Sequence, residues 1–241
     1  MLLFMQKVAI IIPCYNEAKR LDYKNIEPLL LNSDMDVYFA NDGSKDTTVE
    51  IINAIIKNHP QRLHLINFTE NSGKASTIFK AINQIHQQDK YDFIGYFDAD
   101  FSTPSYEIIR LVNEINNRKC EFLIGSRILL LNSGIQRKYY RHVIGRVIIT
   151  LINLKFKLGI YDTQCGAKLF SKKIIPKAFN KPFYTSWIFD VEIFIRLQKQ
   201  NLLIHGIEIP IYNWKDVDGS KLGWKTGFKI LKELYLLNKK Y

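Results

Sequence analysis

No run in the 241 residues reaches the roughly 18 uninterrupted apolar positions that a membrane-spanning helix needs. Any membrane contact is therefore expected to be peripheral. The opening apolar residues, Met1 to Met5, give way to Gln6-Lys7, too soon for the apolar stretch of a secretory signal. Cysteine is scarce: Cys14, Cys120 and Cys165 stand far apart, with no C-x-x-C and no paired histidine spacing. That excludes a disulfide framework and an ordinary zinc site, and suits small buried thiols in a reducing compartment. Repeats, low-complexity tracts and linkers are absent too, so one domain over residues 1–241 is expected. The most telling absence is of acid. Residues 122–161 carry Arg127, Arg137, Lys138, Arg141, Arg146, Lys155 and Lys157 and not one Asp or Glu.

The rest of the charge is unevenly placed as well. Net charge is +11, yet residues 1–121 hold 13 basic and 16 acidic side chains, whereas residues 162–241 hold 14 and 7. The basic surplus thus lies wholly in the second half. Such asymmetry points to an anionic partner there: membrane lipid, nucleic acid or a phosphorylated substrate. A hydrophobic fraction of 47% with 13% aromatics is enough for a packed core and excludes a disordered chain.

Short apolar runs at 8–12, 36–40, 63–68, 92–97 and 122–125, rich in β-branched and aromatic residues, read as buried parallel strands. Helical stretches fall between them at roughly 45–58, 73–88 and 104–118. The third opens at Pro104 and carries Ile108, Leu111, Val112 and Ile115 at helical spacing. This alternation predicts an α/β fold: a mostly parallel central sheet, helices on both faces, and ligands at the carboxyl ends of the strands. Residues 139–158 read as an amphipathic helix, with Arg146, Thr150, Asn153 and Lys157 on one face. Val143, Ile144, Val147, Ile148, Leu151 and Ile152 line the other. Two arrangements stay open: a helix in a membrane interface, or a core helix with a solvated basic face.

Four polar clusters sit at four successive strand ends. They are Pro13-Cys14-Tyr15-Asn16-Glu17, Asn41-Asp42-Gly43-Ser44-Lys45-Asp46-Thr47-Thr48, Asn71-Ser72-Gly73-Lys74-Ala75 and Asp98-Ala99-Asp100. Taken singly, each suits a turn or a helix cap. Together they predict one shared crevice. Asp98 and Asp100 would bring hard oxygen ligands to it, which suit Mg²⁺ or Mn²⁺ beside phosphate oxygens.

With Gly125-Ser126-Arg127 added, these motifs resemble the family 2 glycosyltransferases of GT-A fold, and more narrowly the polyprenyl (dolichyl) phosphate sugar synthases. Asp162-Thr163-Gln164-Cys165-Gly166, Trp187-Ile188-Phe189-Asp190-Val191-Glu192 and Asp218-Gly219-Ser220-Lys221-Leu222 are most similar to the dolichyl-phosphate glucosyltransferase branch. The resemblance spans about residues 7–224. It implies a nucleotide-sugar half over about 1–121 and an acceptor half over about 122–241. Asp42 would face the nucleotide base, with Pro13 and Glu17 around base and ribose, and Tyr15, Gly43, Lys74 and Ala99 in the same site. Asp98 and Asp100 would hold the metal, and Ser220 with Lys221 would close over the diphosphate. Arg127 and Arg141 would clamp the acceptor phosphate, Arg141 by order and distance only.

The reaction so implied moves a hexose, with UDP-glucose favoured and GDP-mannose the alternative donor, to polyprenyl or dolichyl phosphate with inversion. A phosphate monoester is mostly dianionic at neutral pH, so the nucleophile would need no base. Were one needed, Asp190 is the candidate, beside a plain structural role. No Gln-x-x-Arg-Trp motif of the processive polysaccharide synthases is present. Transfer to a glycan hydroxyl on the same fold remains the rival reading. A non-catalytic anion binder would leave the four ordered clusters unexplained, and no nucleic-acid partner is expected. The expected location is cytoplasmic, peripheral on the cytoplasmic face of a membrane, without the N-terminal anchor of eukaryotic members of the branch. Ala167 and Phe101-Ser102-Thr103 depart from the branch's wording.

Overall fold

Strand β1 (Val8–Cys14) is buried along nearly its whole length, and it shows how the chain spends its apolar runs. Val8, Ile10 and Ile12 join one core layer, while Ala9 and Ile11 join the other. A strand apolar on both faces belongs inside a sheet covered by helices. The computed structural model describes residues 6–31, 34–216 and 224–241. After β1 come α1 (Tyr23–Ile26), β2 (Met35–Asp42), α2 (Thr48–Ile56), β3 (Leu63–Phe68), α3 (Lys74–His86), β4 (Phe93–Phe97), α4 (Ser105–Asn117) and β5 (Phe122–Ser126). Then follow β6 (Gly134–Gln136), α5 (Tyr139–Phe156), β7 (Ala167–Ser171), α6 (Ile175–Ala178), α7 (Phe189–Gln198), β8 (Gly206–Pro210), β9 (Asn213–Lys215) and α8 (Trp224–Lys240).

The main sheet runs β3-β2-β1-β4-β7-β5-β8, and β6 pairs with β9 in a small second sheet. Its pairs are parallel except at β7, which lies antiparallel between β4 and β5. The five strands and three helices expected in the first half all form, within a few residues of the expected bounds. Helices α3, α6 and α7 supply one core layer and α2 and α4 the other. The reversal at β7 matters for position: it brings the start of that strand, not its end, to the rim where β4 and β5 finish.

Helix α5 departs from expectation in its orientation. Half of its polar stripe faces the protein: Arg146 donates to the Tyr161 carbonyl and stacks on that ring, and Asn153 donates to the Ile160 carbonyl, while Thr150 and Lys157 are exposed. Ile149 and Ile152 are buried, but Val143, Ile144, Val147, Leu151 and Leu154 are exposed. Apolar residues thus lie on both sides of the helix, with Ile148, Ile149 and Ile152 against the core and the others outward. It stops at Phe156 because Lys157 turns left-handed (φ 53°), and buried Leu158 packs back against the core. Cys14 and Cys165 are buried as expected, whereas Cys120 is only half-buried.

One buried ion pair organises the second half. Glu192 and Arg196, on one face of α7, approach to 2.6 Å and are almost wholly enclosed. Arg196 also donates to the carbonyls of Ala178, Lys181 and Pro182. Glu192 in turn accepts from the backbone of Tyr184 and Thr185 and from the Tyr241 hydroxyl. Removing one partner strands a buried charge, which costs about 3–5 kcal/mol. Arg196→Met is therefore expected to lose about that much in urea unfolding, and a loss under about 1 kcal/mol would contradict this role.

Candidate functional site

The four strand-end clusters meet, and each is tied to the next. The Asn16 amide donates to Ser44 Oγ at 3.0 Å and the Glu17 amide to Thr48 Oγ1 at 2.8 Å, joining the loops after β1 and β2. Asp42 then joins the loops after β2 and β3. Its Oδ1 accepts from the Ser72 amide and its Oδ2 from the Gly73 amide, both at 2.8 Å. Both Asp42 oxygens thus hold the loop that opens α3. Lys74, the first residue of that helix, forms an ion pair with Asp98 at the end of β4. Gly43 sits at φ +67° with Asn71 N only 2.7 Å from where a Cβ would stand, so no other residue fits there.

Asp98 and Asp100 flank buried Ala99, and Asp100 Oδ1 accepts from the Ser102 amide at 2.9 Å. A Cβ on Gly166 would stand 2.0 Å from the Asp98 carboxylate. Gly166, just before β7, is therefore the space that Asp98 occupies. Negative charge gathers here without full compensation. Burial lifts the Glu17 carboxyl above its ordinary value against the pull of Arg20, and Asp100, Asp46 and Asp98 lift it further. Beside it, Asp98, Asp190 and Asp100 hold the Lys74 ammonium above its ordinary value, against the effect of burial. Among the described residues no three His, Cys, Asp or Glu side chains gather to cage a metal. Two carboxylates at a strand end still fit Mg²⁺ or Mn²⁺, which commonly take one or two protein carboxylates and complete their shell with substrate phosphates and water. Pro13 lies opposite Ala40, one residue before β1 ends at Cys14 opposite Asn41, and Tyr15 in the loop that follows is partly exposed. Ser220 and Lys221 lie outside the described residues.

On the other side of Lys74 opens a cavity of about 280 Å³. Its lining combines the cations Arg127, Arg137, Arg141 and Arg146 with the apolar Ile149, Ile152, Trp187, Ile188 and Ile230. Arg127 and Arg141 both line it, and each already has a carboxylate. Arg127 binds Asp162 in a two-pronged pair, Nε to Oδ2 at 2.7 Å and Nη2 to Oδ1 at 2.9 Å. Arg141 pairs with Asp216. Asp190 also lines the cavity and is held by Lys168 Nζ at 2.8 Å and by the Tyr96 hydroxyl. Both partners reach the same oxygen, Oδ1, of the base candidate.

Sequence reading missed Arg137, Asp162 as the partner of Arg127, and Lys168. Arg137 was counted only among the basic residues. The available signal was Gly145: a glycine inside a helix costs about 1 kcal/mol relative to alanine, so it asks for a packing reason. The reason is Arg137, whose Nη2 lies 2.8 Å from where a Gly145 Cβ would be.

The chain matches the family profile described as Glycosyl transferase family 2 over residues 9–179. It is 28% identical over 250 residues to a dolichyl-phosphate beta-glucosyltransferase of Dictyostelium discoideum, covering 97% of this chain and 74% of that one. It is 29% identical over 256 residues to the enzyme of that name from Saccharomyces cerevisiae, covering 97% and 75%. Among solved structures it is similar to glucosyl-3-phosphoglycerate synthase of Mycobacterium tuberculosis in complex with Mn²⁺, UDP and glucosyl-3-phosphoglycerate. There the TM-score is 0.69, with 13% identity and 96% and 78% of the two chains covered. A mannosyltransferase of Pyrobaculum calidifontis in complex with GDP-Man and Mn²⁺ gives 0.62, with 15% identity and coverage of 93% and 60%. These structural likenesses bear out the expected GT-A fold.

The Arg127–Asp162 pair makes stability depend on pH in a stated direction. Despite burial, Arg127 holds the Asp162 carboxyl well below the usual carboxylate range. A depressed group stabilises fully above its unfolded value, near pH 4, and progressively less as pH falls toward its folded value. Asp162→Asn is therefore expected to melt well below the parent protein at pH 7, with the gap closing below about pH 4. A gap of constant size between pH 7 and 3 would contradict the pairing.

Proposed function

We propose that this chain, which belongs to glycosyl transferase family 2, moves glucose from UDP-glucose to the phosphate of a polyprenol or dolichol with inversion at the anomeric carbon. The observation that carries the reading is the position of the cation-and-apolar cavity, which shares Lys74 with the Asp98 end of the strand-end crevice. One side suits a nucleoside diphosphate. The other suits an anion attached to a hydrocarbon. The names of the relatives support the same pairing of sugar and lipid phosphate.

In this reading Asp98 and Asp100 hold a divalent ion, which supplies Lewis-acid neutralisation of the leaving diphosphate. Lys74, on release from Asp98, lies between the two phosphates and screens their repulsion. Asp42 faces the base with its remaining lone pairs, with Pro13, Tyr15 and Glu17 around it. An oxygen of the acceptor phosphate forms the new bond to the anomeric carbon as the bond to UDP breaks on the opposite face. That oxygen needs no base, because a phosphate monoester has already lost its second proton near pH 6. The engagement of Asp190 by Lys168 and Tyr96 favours this acceptor over a sugar hydroxyl, which must be deprotonated.

The same reading places the protein on the cytoplasmic face of a membrane. Among the described residues no helix is long and apolar enough to cross one. Helix α5 instead turns Val143, Ile144, Val147, Leu151 and Leu154 outward, with exposed Leu129 and Leu131 in the loop before it. Lys138, Lys155 and Lys157 are exposed at its ends, as an interfacial helix on anionic lipid requires.

Two measurements test the proposal. Incubation with UDP-[¹⁴C]glucose, Mn²⁺ and polyprenyl phosphate is expected to carry label into the organic phase. Chelation by EDTA should abolish it, and Asp100→Asn should cut it by at least about 100-fold. Label transferred from GDP-mannose alone would reject the donor, and none from any nucleotide sugar would reject the acceptor. In flotation with phosphatidylserine-containing vesicles, Val147→Asp/Leu151→Asp is expected to leave the protein in the bottom fraction with UDP binding intact. Undiminished flotation would refute the membrane face.

A further inference from the structure

Around the cavity, the polar atoms left without a hydrogen-bond partner are mainly donors. Arg137 Nε, Thr163 Oγ1 and Gln164 Nε2 are all enclosed and unpartnered among the described residues, and all three residues line the cavity. Thr163 is fully buried. Leaving a buried donor unsatisfied costs about 1–3 kcal/mol each, so three of them around one cavity call for a common acceptor. Of the carboxylates nearby, Asp162 takes Arg127 on both oxygens, while Asp216 takes Arg141 on Oδ1 and leaves Oδ2 unpartnered. Arg137 forms no ion pair among the described residues, and its guanidinium rests over Gly145 on α5, where any Cβ would crowd it.

We infer that the phosphate of the acceptor seats on Arg137, Thr163 and Gln164 in the cavity that Arg127 and Arg141 also line. This rests on the lipid-phosphate reading above and deepens it. The chemistry of the seat is that of a phosphate monoester: a fork of guanidinium donors, a hydroxyl and an amide, all able to donate to one oxyanion. Neighbouring Arg127 raises the positive potential of the seat, and burial with that neighbour pulls Arg137 below its ordinary arginine value. An anion relieves both effects. The apolar lining of Ile149, Ile152, Ile188 and Ile230 favours a prenyl chain on that phosphate over a small polar ester.

The test is direct binding, so that it does not depend on turnover. Citronellyl phosphate, a short water-soluble prenyl phosphate, is titrated calorimetrically into the full chain, with 3-phosphoglycerate as the polar phosphate monoester for comparison. Arg137→Ala is expected to weaken citronellyl phosphate binding about 10- to 100-fold, as the loss of hydrogen bonds to a charged group implies. Thr163→Val should weaken it less. Arg137→Lys should recover part of the loss, since lysine keeps the charge but not the fork. UDP binding should not move in any of them. Gly145→Ala is the second route should Arg137→Ala fold poorly: its methyl displaces the guanidinium tip, and weaker acceptor binding is again expected. Equal citronellyl phosphate affinity in the parent and all four variants, or no binding by the parent, overturns the seat. Binding that depends on Arg137 without glucose transfer in the radiolabel assay would instead overturn the lipid-phosphate transfer reading and leave the seat standing. Tighter binding of 3-phosphoglycerate than of citronellyl phosphate would keep the seat and reject the prenyl chain.

Discussion

The buried pair between Arg127 and Asp162 is the constraint on which the acceptor side depends. It joins the end of β5 to the segment leading into β7, with three hydrogen bonds from one arginine to one carboxylate. Breaking such a pair by removing one member leaves an uncompensated charge in a low-dielectric setting. Because β7 runs antiparallel, its first residues return to the rim where β4 and β5 finish. Gly166 can then make room for Asp98, and Thr163 and Gln164 can face the cavity. Among the described residues, Arg137 is the cavity arginine without an ion pair or a hydrogen bond to a carboxylate or carbonyl.

The donor side is built by a different device. Asn16 to Ser44, Asp42 to Ser72 and Gly73, and Lys74 to Asp98 form a ladder of side-chain ties across four successive loops. Each tie is ordinary. In series they fix four loops at the carboxyl ends of a parallel sheet, where α/β folds bind their ligands. The ladder ends on the Lys74–Asp98 pair, and Lys74 also borders the arginine-lined cavity.

Much of this was legible in the sequence, for a physical reason. Strands β1, β2, β4 and β5 are buried on both faces, and such strands read as largely apolar runs. The loops between them are rich in Gly, Asp, Asn and Ser, so both the sheet and the crevice could be anticipated. Strand β7 could not, because Lys168 interrupts its apolar run; the lysine is buried only because Asp190 meets it from α7. Periodicity predicted two stripes on α5 but not which residues of each face inward. For Arg146 and Asn153 that is decided by Tyr161 and Ile160, whose carbonyls accept from them. Arg141 satisfied order and spacing, yet Asp216, far along the chain, claims it. Contacts between distant residues leave no local pattern to read.

The account comes down to two phosphates meeting across Lys74, one on the metal-binding acids and one on the donor cluster. The measurement that tests this most directly is a crystal structure of the chain with UDP, Mn²⁺ and citronellyl phosphate, using the anomalous signal of the metal. The account predicts a manganese peak coordinated by Asp98 and Asp100, with the second phosphate on the far side of Lys74 within hydrogen-bonding reach of Arg137. Manganese away from those carboxylates, or the lipid phosphate bound outside that cavity, would contradict it.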